Sequence, residues 1–346
     1  LFQYLGRSWT SRAYLLRINF ETLPSWPRTC QKIGEYMSTQ NQLNIGTRSS
    51  PLAMAQTQEA VALLRSKNKP LSEPGAIRVV KIQTTGDQVQ DRHLSEIGGK
   101  GMFAKEIDAA LLDGRIDIAI HSLKDLETRL PDGIVLAACL KREDPRDALI
   151  GPEIFSLNHL PDGATIGTAS LRRQAQLLNH RPDVRIILLR GNIQTRLRKV
   201  RNGEADATFL ALAGLNRMGL GGEATCVLSP ETMLPACGQG VIGITCREED
   251  HISRQWAEKI NHSETMIRIT AERAMLNILD GTCRTPIGGL AELTGEAKLL
   301  LRGLVARPDG SMLFTGNETG SSADAEKIGQ ELGARLRLEA GDNLFC

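Results

Sequence analysis

The alternation of apolar and polar residues from Leu43 onward predicts short strands separated by amphipathic helices. Leu43–Thr47 and Ile77–Ile82 have the composition of strands, and Pro51 begins a helix between them with Ser50 as its N-cap. A second helix leads to a strand at 116–121, whose isoleucines alternate with smaller or polar residues, which predicts one buried face. This succession of strands and helices is typical of a parallel α/β unit.

A second segment of the chain repeats the same order of elements. Ala164–Gly167 predicts a strand, Ser170 is a plausible N-cap for the helix that follows, and Arg185–Leu189 predicts the next strand. A further helix ends near Asn202-Gly203 and returns to a strand over Ala205–Ala211. Two such units in tandem predict two parallel-sheet lobes whose strand ends and helix N-termini face a shared cleft.

The rest of the chain predicts a return to the first lobe and then a small α+β domain. Val241–Cys246 has the pattern of a strand that crosses back, which would make the two crossings a hinge. A long helix over Ser263–Leu279, with Ser263 as N-cap, precedes two strands and a final helix. The predicted domains are 43–140 with 241–260, then 146–236, then 263–346. Residues 1–42 do not match the rest and are interpreted as an extension outside the fold, either disordered or not native.

Opposite charges follow the strand at 116–121 directly. His121–Asp125 places a hydroxyl, an ammonium and a carboxylate where a strand gives way to a loop. Ligands of open α/β sheets bind beyond the carboxyl ends of the strands, so Lys124 and Asp125 are candidates for binding one small ligand. The competing interpretation of the pair is a solvated salt bridge.

Positive charge is concentrated in the second unit. Residues 172–201 contain nine Arg or Lys and one acidic residue, although the whole chain carries a net charge of only +2. Three interpretations compete: a solvated helix face, a nucleic-acid surface and a site for a polycarboxylate. The segment has no aromatic residue on which bases could stack, which counts against nucleic acid. The polycarboxylate interpretation is favoured by cations at strand ends or in first helical turns, namely Arg172, Arg173, Arg190 and Arg196.

Composition excludes several classes of protein. No apolar run approaches a membrane span, and the charged and apolar fractions of 24% and 41% are ordinary for a globular protein. The seven cysteines are scattered, and neither they nor the six histidines have the spacing of a zinc site or a disulfide framework. We therefore expect no metal, reduced thiols and a cytoplasmic location, with an organelle-targeting N-terminus as the alternative.

Seven blocks of the sequence resemble the porphobilinogen deaminase (hydroxymethylbilane synthase) family. The resemblance runs in order from about residue 43 to 340, and several blocks are individually specific. The blocks are Gly46–Ala53, Gly98–Gly101, His121–Asp125, Arg142–Asp147, Ser170–Arg173, Arg190–Asn192 and Gly238–Gly240.

The resemblance implies a three-domain, monomeric enzyme of tetrapyrrole synthesis whose first two lobes have periplasmic-binding-protein folds. Such an enzyme joins four porphobilinogens head to tail, releases ammonia at each step and yields hydroxymethylbilane. The resemblance also implies a dipyrromethane primer, held by a thioether to the cysteine that matches here, Cys283. From its spacing alone this cysteine would be interpreted as an inert thiol.

The resemblance further implies roles for individual residues. Asp125 matches the catalytic aspartate, which stabilises the cationic methylene-pyrrolenine left when ammonia departs, and Lys124 places substrate carboxylates beside it. The implied cofactor-binding residues are Cys283, Ser122, Lys124, Asp125, Ser170, Arg172, Arg173 and Arg190. The implied substrate-binding residues are Arg48, Ser50, Lys100 on a mobile loop, Arg172, Arg173, Arg190, Gly191, Asn192, Arg196 and Gln239 near the hinge.

The sequence departs from the family pattern at a few positions, and one rival function stays open. Thr282 replaces a usual glycine before the attachment cysteine, Ala169 a serine, Glu127 a proline and Cys237 a valine. None of these removes a residue that the mechanism needs. The rival is a two-lobed binding protein for a small anion without catalysis, which the duplicated lobes and the arginines alone would allow. If the chain is instead the enzyme that the resemblance implies, its expected partners are porphobilinogen and the polypyrrole intermediates, with no nucleic acid and no membrane.

Overall fold

A computed structural model describes residues 42–88, 104–279, 285–295 and 297–341. The described strands are β1 Leu43–Arg48, β2 Ile77–Ile82, β3 Ile118–Ser122, β4 Ile134–Cys139, β5 Asp147–Ile150, β6 Thr165–Gly167, β7 Arg185–Ile187, β8 Ala207–Ala211, β9 Cys226–Val227, β10 Ile242–Arg247, β11 Ile287–Leu293, β12 Lys298–Ala306 and β13 Leu313–Ser321. The described helices are α1 Pro51–Lys67, α2 Thr85–Gln88, α3 Lys105–Leu112, α4 Leu171–His180, α5 Ile193–Arg201, α6 Leu212–Arg217, α7 His251–Glu258, α8 Ser263–Ile278 and α9 Ala325–Ala340.

Two five-stranded sheets share one strand arrangement. The first has the order β2-β1-β3-β10-β4 and the second the order β7-β6-β8-β5-β9. In each sheet the first three strands are parallel, and the fourth is antiparallel to its neighbours. The fourth strand, β5 or β10, is the one by which the chain enters that lobe after crossing from the other. The predicted duplication and the predicted return of the strand near 241–246 to the first lobe are therefore confirmed.

The first crossing is residues 140–146, between β4 and β5, and the second is residues 228–241, between β9 and β10. The two crossings run side by side, and a glycine makes this close approach feasible. The Glu143 N–H of the first crossing donates to the Gly240 carbonyl oxygen of the second at 3.1 Å. Gly240 has φ +88°, and a Cβ added to it would overlap the Glu143 carbonyl oxygen. A residue without a side chain is required at this position because both the backbone conformation and the available space exclude one.

The strand that leads to His121 is buried on both faces, so the prediction of one buried face is wrong. Ile118 and Ile120 pack into one cluster with helix α1, whereas Ala119 packs into another with helix α3. Sheets with helices on both faces have central strands of this kind, and Ala119, between two isoleucines, is buried rather than solvated.

The third domain is a three-stranded antiparallel sheet, β11-β12-β13, covered by α8 and α9. The sequence predicted two strands here, and β11 was missed. The predicted N-cap of α8 is also displaced: His262, not Ser263, caps the helix, because Nδ1 of His262 accepts the Thr265 N–H at 3.2 Å. With these corrections, the fold is two α/β lobes with a small α+β domain, as predicted. In the described part of the chain, no helix combines the length and apolar character that a membrane crossing needs.

Candidate functional site

A cleft of about 520 Å³ lies where the strand ends of the two lobes face each other. Ligand sites of open α/β sheets occupy this position because strand ends and helix N-termini converge there. The first lobe lines the cleft with polar side chains that include Arg48, Ser50, Gln56, His121, Ser122, Lys124 and Asp125. The second lobe lines it with Ala169, Arg173, Arg190, Gly191, Asn192 and Arg196, among others.

The floor of the cleft in the first lobe pairs a cation with a carboxylate. Arg48 is the last residue of β1, and Asp125 lies in the single 3₁₀ turn that follows β3. Because β1 and β3 are parallel neighbours, both side chains leave the same edge of the sheet. Arg48 Nη1 lies 4.0 Å from Asp125 Oδ2, and the two side chains are 23% and 37% exposed. Asp125 therefore stays accessible from the cleft while a cation faces it.

Lys124 points towards the crossings rather than forming the solvated salt bridge with Asp125 that was the competing interpretation. Its Nζ donates to Oε1 of Gln239 at 3.2 Å. Burial lowers the pKa of Lys124 to about 8, against the opposing effect of the Asp125 charge. The ammonium therefore loses its charge within the range of pH at which enzymes are usually assayed.

Neighbouring His121 is a neutral side chain. Its Nε2 lies 3.0 Å from Thr245 Oγ1, and burial together with the charge of Arg48 lowers the pKa of His121 to about 4. The imidazole adds no charge to the cleft at neutral pH.

The wall in the second lobe is a cluster of arginines at the start of α5. Nε of Arg196 donates to the Gly191 carbonyl oxygen at 2.8 Å, and Asn192 caps the helix by accepting the Thr195 N–H at 2.9 Å. Burial and the charges of Arg173 and Arg190 lower the pKa of Arg196 to about 10. Cations crowded together in this way are stabilised by an anion among them, so this wall suits a carboxylate ligand.

Arg172 and Arg173 share one buried carboxylate. Asp147, the first residue of β5, is fully buried. Its carboxylate accepts hydrogen bonds from Nη1 of Arg172 at 2.8 Å and from Nη2 of Arg173 at 2.8 Å. Arg172 also donates to the Leu234 carbonyl oxygen at 2.7 Å and is not among the residues that line the cleft. Arg173 does line it, and its role towards a ligand stays a prediction, as does that of Arg172.

The predicted residue Gln239 lies behind the cleft wall. It is fully buried, and its Nε2 donates to the Pro145 carbonyl oxygen at 2.7 Å and to Asp147 at 2.9 Å. In this structure the Gln239 side chain thus contacts the two crossings and Lys124 rather than the cavity.

Three predicted serines hold backbone or side chains in place. Ser50 and Ser170 are the N-caps of α1 and α4, as predicted from the sequence. Ser122 lies in the cleft and donates to Oε1 of Gln56 at 2.9 Å. Ser170 is not among the residues that line the cleft.

Two predicted site residues, Lys100 with its loop and the attachment cysteine Cys283, lie outside the described residues.

Two residues at the site were missed by reasoning from the sequence. Gln56 is a buried polar residue in the apolar stripe of α1, and a glutamine at such a position was the available signal. Asp147 stands in the block Arg142–Asp147, but a single carboxylate in a charged run gives no sign that it is fully buried. Both lie next to predicted site residues and contact them directly.

The described cleft lining contains five cations, Arg48, Lys124, Arg173, Arg190 and Arg196, and one carboxylate, Asp125. A two-lobed α/β protein with such a cleft is of the class that binds polyanionic small molecules, and an accessible carboxylate among the cations adds a group able to stabilise positive charge.

Comparison with known proteins defines the family. The family model "Porphobilinogen deaminase, dipyromethane cofactor binding domain" matches residues 43–255, and "Porphobilinogen deaminase, C-terminal domain" matches residues 266–337. The chain belongs to the porphobilinogen deaminase family. It is 49% identical over 301 residues to "Porphobilinogen deaminase" of Nitrobacter winogradskyi, which covers 87% of this chain and 94% of that protein. It is 47% identical over 306 residues to "Porphobilinogen deaminase, chloroplastic" of rice, which covers 88% of this chain and 85% of that protein.

Solved structures give a distant likeness. The VFT2 domain of Bordetella pertussis BvgS (double mutant) overlaps 69% of this chain and 93% of its own, with a TM-score of 0.39 and 14% sequence identity.

Proposed function

We propose that this chain is a transferase that joins four porphobilinogen molecules head to tail into hydroxymethylbilane, with release of ammonia, in tetrapyrrole (heme) biosynthesis. The observation that carries the proposal is the accessible carboxylate of Asp125, 4.0 Å from Arg48, among the cations of the cleft. A product that gains carboxylates with each added ring needs a cationic cleft, and a reaction that passes through a cation needs a fixed carboxylate. Simple anion binding, the rival function, does not explain the carboxylate and is not favoured by the relatives.

The residues of the cleft fit a dipyrromethane cofactor. Such a group carries four carboxylates, and the described part of the lining supplies five cations from both lobes with a single opposing carboxylate. We propose that the cofactor is held by Ser122, Lys124, Asp125, Ser170, Arg172, Arg173 and Arg190, and attached to Cys283. When bound, the group supplies the pyrrole carbon that receives the first substrate. Two of the proposed residues would act indirectly, by positioning helix α4. The Arg172 side chain donates to Asp147, and the Ser170 side chain caps the N-terminus of the helix.

We propose one role for each group that faces the substrate. Asp125 holds its negative charge towards the cation that remains when porphobilinogen loses ammonia, an electrostatic role that needs no movement of the carboxylate. Lys124, Arg48 and Arg196 neutralise the acetate and propionate groups and so orient the ring. Substrate binding also involves Ser50, Lys100, Arg190, Gly191 and Asn192, with Gln239 acting from behind through Lys124.

The intact mass of the purified protein tests the function and the cofactor together. We expect a mass above that of the polypeptide by one dipyrromethane, lost in Cys283→Ser and retained in the control Cys226→Ser, whose thiol lies in β9 of the second lobe. A red colour with an aldehyde reagent for pyrroles should follow the same pattern. Active protein with an unmodified mass would contradict the cofactor proposal.

We also propose that the enzyme is a cytoplasmic monomer that binds neither nucleic acid nor membranes. Free thiols at Cys139, Cys226, Cys237 and Cys246 support a reducing compartment. Light scattering after size exclusion tests the monomer, a salt-dependent shift assay tests nucleic acid, and cell fractionation with a vesicle-sedimentation assay tests location and membrane binding.

A further inference from the structure

The amide of Gln239 has a single orientation that its surroundings permit. The Pro145 carbonyl and the Asp147 carboxylate only accept hydrogen bonds, so the donor Nε2 must face them, at 2.7 and 2.9 Å. The acceptor Oε1 therefore faces Lys124, whose ammonium only donates, at 3.2 Å. Pro145 and Asp147, behind the cleft wall, therefore determine the direction of the oxygen that accepts a hydrogen bond from Lys124.

Asp147 is the group at the centre of this arrangement. Besides Gln239, it accepts hydrogen bonds from Arg172 and from both Nε and Nη2 of Arg173. Although burial alone would raise the pKa of Asp147, the two arginines hold that pKa well below its usual range, so the carboxylate is charged at every relevant pH. One buried negative charge consequently contacts a cleft arginine directly and a cleft lysine through one amide.

The contacts join three parts of the molecule. Asp147 begins β5 in the second lobe, Gln239 lies on the second crossing, and Lys124 lies beyond β3 in the first lobe. Arg173 belongs to the first turn of α4. Lys124 and Arg173 line the cleft from opposite lobes, and both are connected by hydrogen bonds to Asp147, the lysine through Gln239.

We propose that Asp147 is a positioning residue for the reaction: through Gln239 it holds the Lys124 ammonium, and through direct hydrogen bonds the Arg173 guanidinium, in the orientation that receives the substrate carboxylates. This inference rests on the proposed function. A buried ion pair seldom adds much net stability, so a purely structural site would be served equally well by apolar side chains.

The charges that face Lys124 decide what loss of Asp147 does to it. Asp125 and Asp147 raise the pKa of Lys124, whereas Arg173 and Arg172 lower it. Neutralising Asp147 leaves two cations against one carboxylate. The ammonium should then lose its proton at lower pH, and the alkaline limb of the pH–rate profile should move towards acid.

The test compares two variants with a matched control in the cofactor-loaded enzyme. Asp147→Asn removes the charge at nearly constant shape, and Gln239→Met breaks the connection to Lys124 while it leaves the charge and both arginines in place. Asp144→Asn is the control, because Asp144 lies three residues before Asp147 but pairs with Arg146. We expect kcat/KM to fall about tenfold in both variants, as for the loss of a hydrogen bond to a charged group. The alkaline limb of Asp147→Asn should move about half a pH unit towards acid, and the control should match the wild type.

A second measurement does not depend on turnover. NMR of ¹³Cε-labelled lysine, with the Lys124 signal assigned from Lys124→Arg, gives the pKa of Lys124 directly, and we expect a lower value in Asp147→Asn than in the wild type. Folded, loaded variants with wild-type kcat/KM and an unshifted Lys124 titration would overturn the inference, even if their thermal stability were reduced. Failure of the wild type to make hydroxymethylbilane would instead refute the proposed function, and the NMR titration would still decide whether Asp147 acts on Lys124.

Discussion

Arg48 Nη1 lies 4.0 Å from Asp125 Oδ2, at the ends of two parallel strands that are hydrogen-bonded neighbours. The spacing is long for an ion pair, so the two charges face each other without a short hydrogen bond that would occupy the carboxylate. Both side chains line the cleft, together with the cations of the second lobe. This pair is therefore suited to a substrate that has carboxylates on a ring and develops positive charge during the reaction.

Asp125→Asn should fold normally and lose about 100-fold or more in kcat, because it removes a preorganised charge at constant shape. Asp132→Asn is the control, since Asp132 is an exposed carboxylate in the turn after the site. The assay is formation of hydroxymethylbilane by protein whose cofactor loading has been measured by mass. Activity within a few-fold of the wild type would refute the role of Asp125.

Arg196→Gln should raise KM for porphobilinogen by about tenfold or more, because one hydrogen bond to a charged group is lost. Arg198→Gln changes the same helix at an exposed position and should leave KM unchanged. Steady-state kinetics at two salt concentrations measures the effect, and the salt dependence of KM should be weaker in Arg196→Gln. Equal behaviour of the two variants would place the anion site elsewhere.

Glu272→Gln should destabilise the protein by about 3 kcal/mol, because a buried guanidinium then loses its counter-charge. Glu272 of α8 is fully buried and pairs with Arg142 of the first crossing, and it also accepts the Gly238 N–H at 2.7 Å and the Ala291 N–H at 2.8 Å. It thus connects the third domain to both crossings.

Chemical denaturation of Glu272→Gln should be compared with that of Glu264→Gln. Glu264 lies on the same helix but pairs with Arg268 at the surface, where an ion pair contributes less than about 1 kcal/mol. A loss of similar size in both variants would show that Glu272 has no special role in the packing of the third domain.

Asp108→Asn should stabilise the protein at neutral pH by about 1–2 kcal/mol. Asp108 of α3 is 7% exposed, and its Oδ1 has no hydrogen-bond partner among the described residues. Burial, with the charge of Glu127 nearby, raises the pKa of Asp108 to about 6 from 3.8. Ionisation of the folded protein therefore costs stability that increases as the pH rises from about 4 to 6.

The pH dependence identifies the cause of the Asp108 effect. The gain in the free energy of unfolding should be full above pH 6 and should disappear towards pH 4, as measured by urea titrations across this range. Asp113→Asn, at an exposed position just after the same helix, should show no such trend. A gain that is independent of pH would mean that packing, not ionisation, is responsible.

Local patterns in the sequence determined most of the element order. The N-caps at Ser50 and Ser170, the strand over Ile77–Ile82 and the end of α5 before Asn202 follow from residues close to one another in the chain. The errors concern elements whose context is distant. Strand β11 contains a glycine pair, Gly288-Gly289, and is held by pairing with β12. The N-cap of α8 depends on the tautomer that a histidine adopts.

The sequence by itself determined the duplicated lobes, the accumulation of arginines and, through the family resemblance, which residues to place in the cleft. Only the tertiary structure decided which of those residues line the cleft and which lie behind its wall. Arg172 and Gln239 look like cleft ligands in the sequence, but they contact Asp147, which lies 25 residues or more away along the chain. The hydrogen-bond partner of a buried polar side chain depends on which residues are buried beside it and on the geometry of the two crossings. Neither can be read from the spacing of residues along one segment.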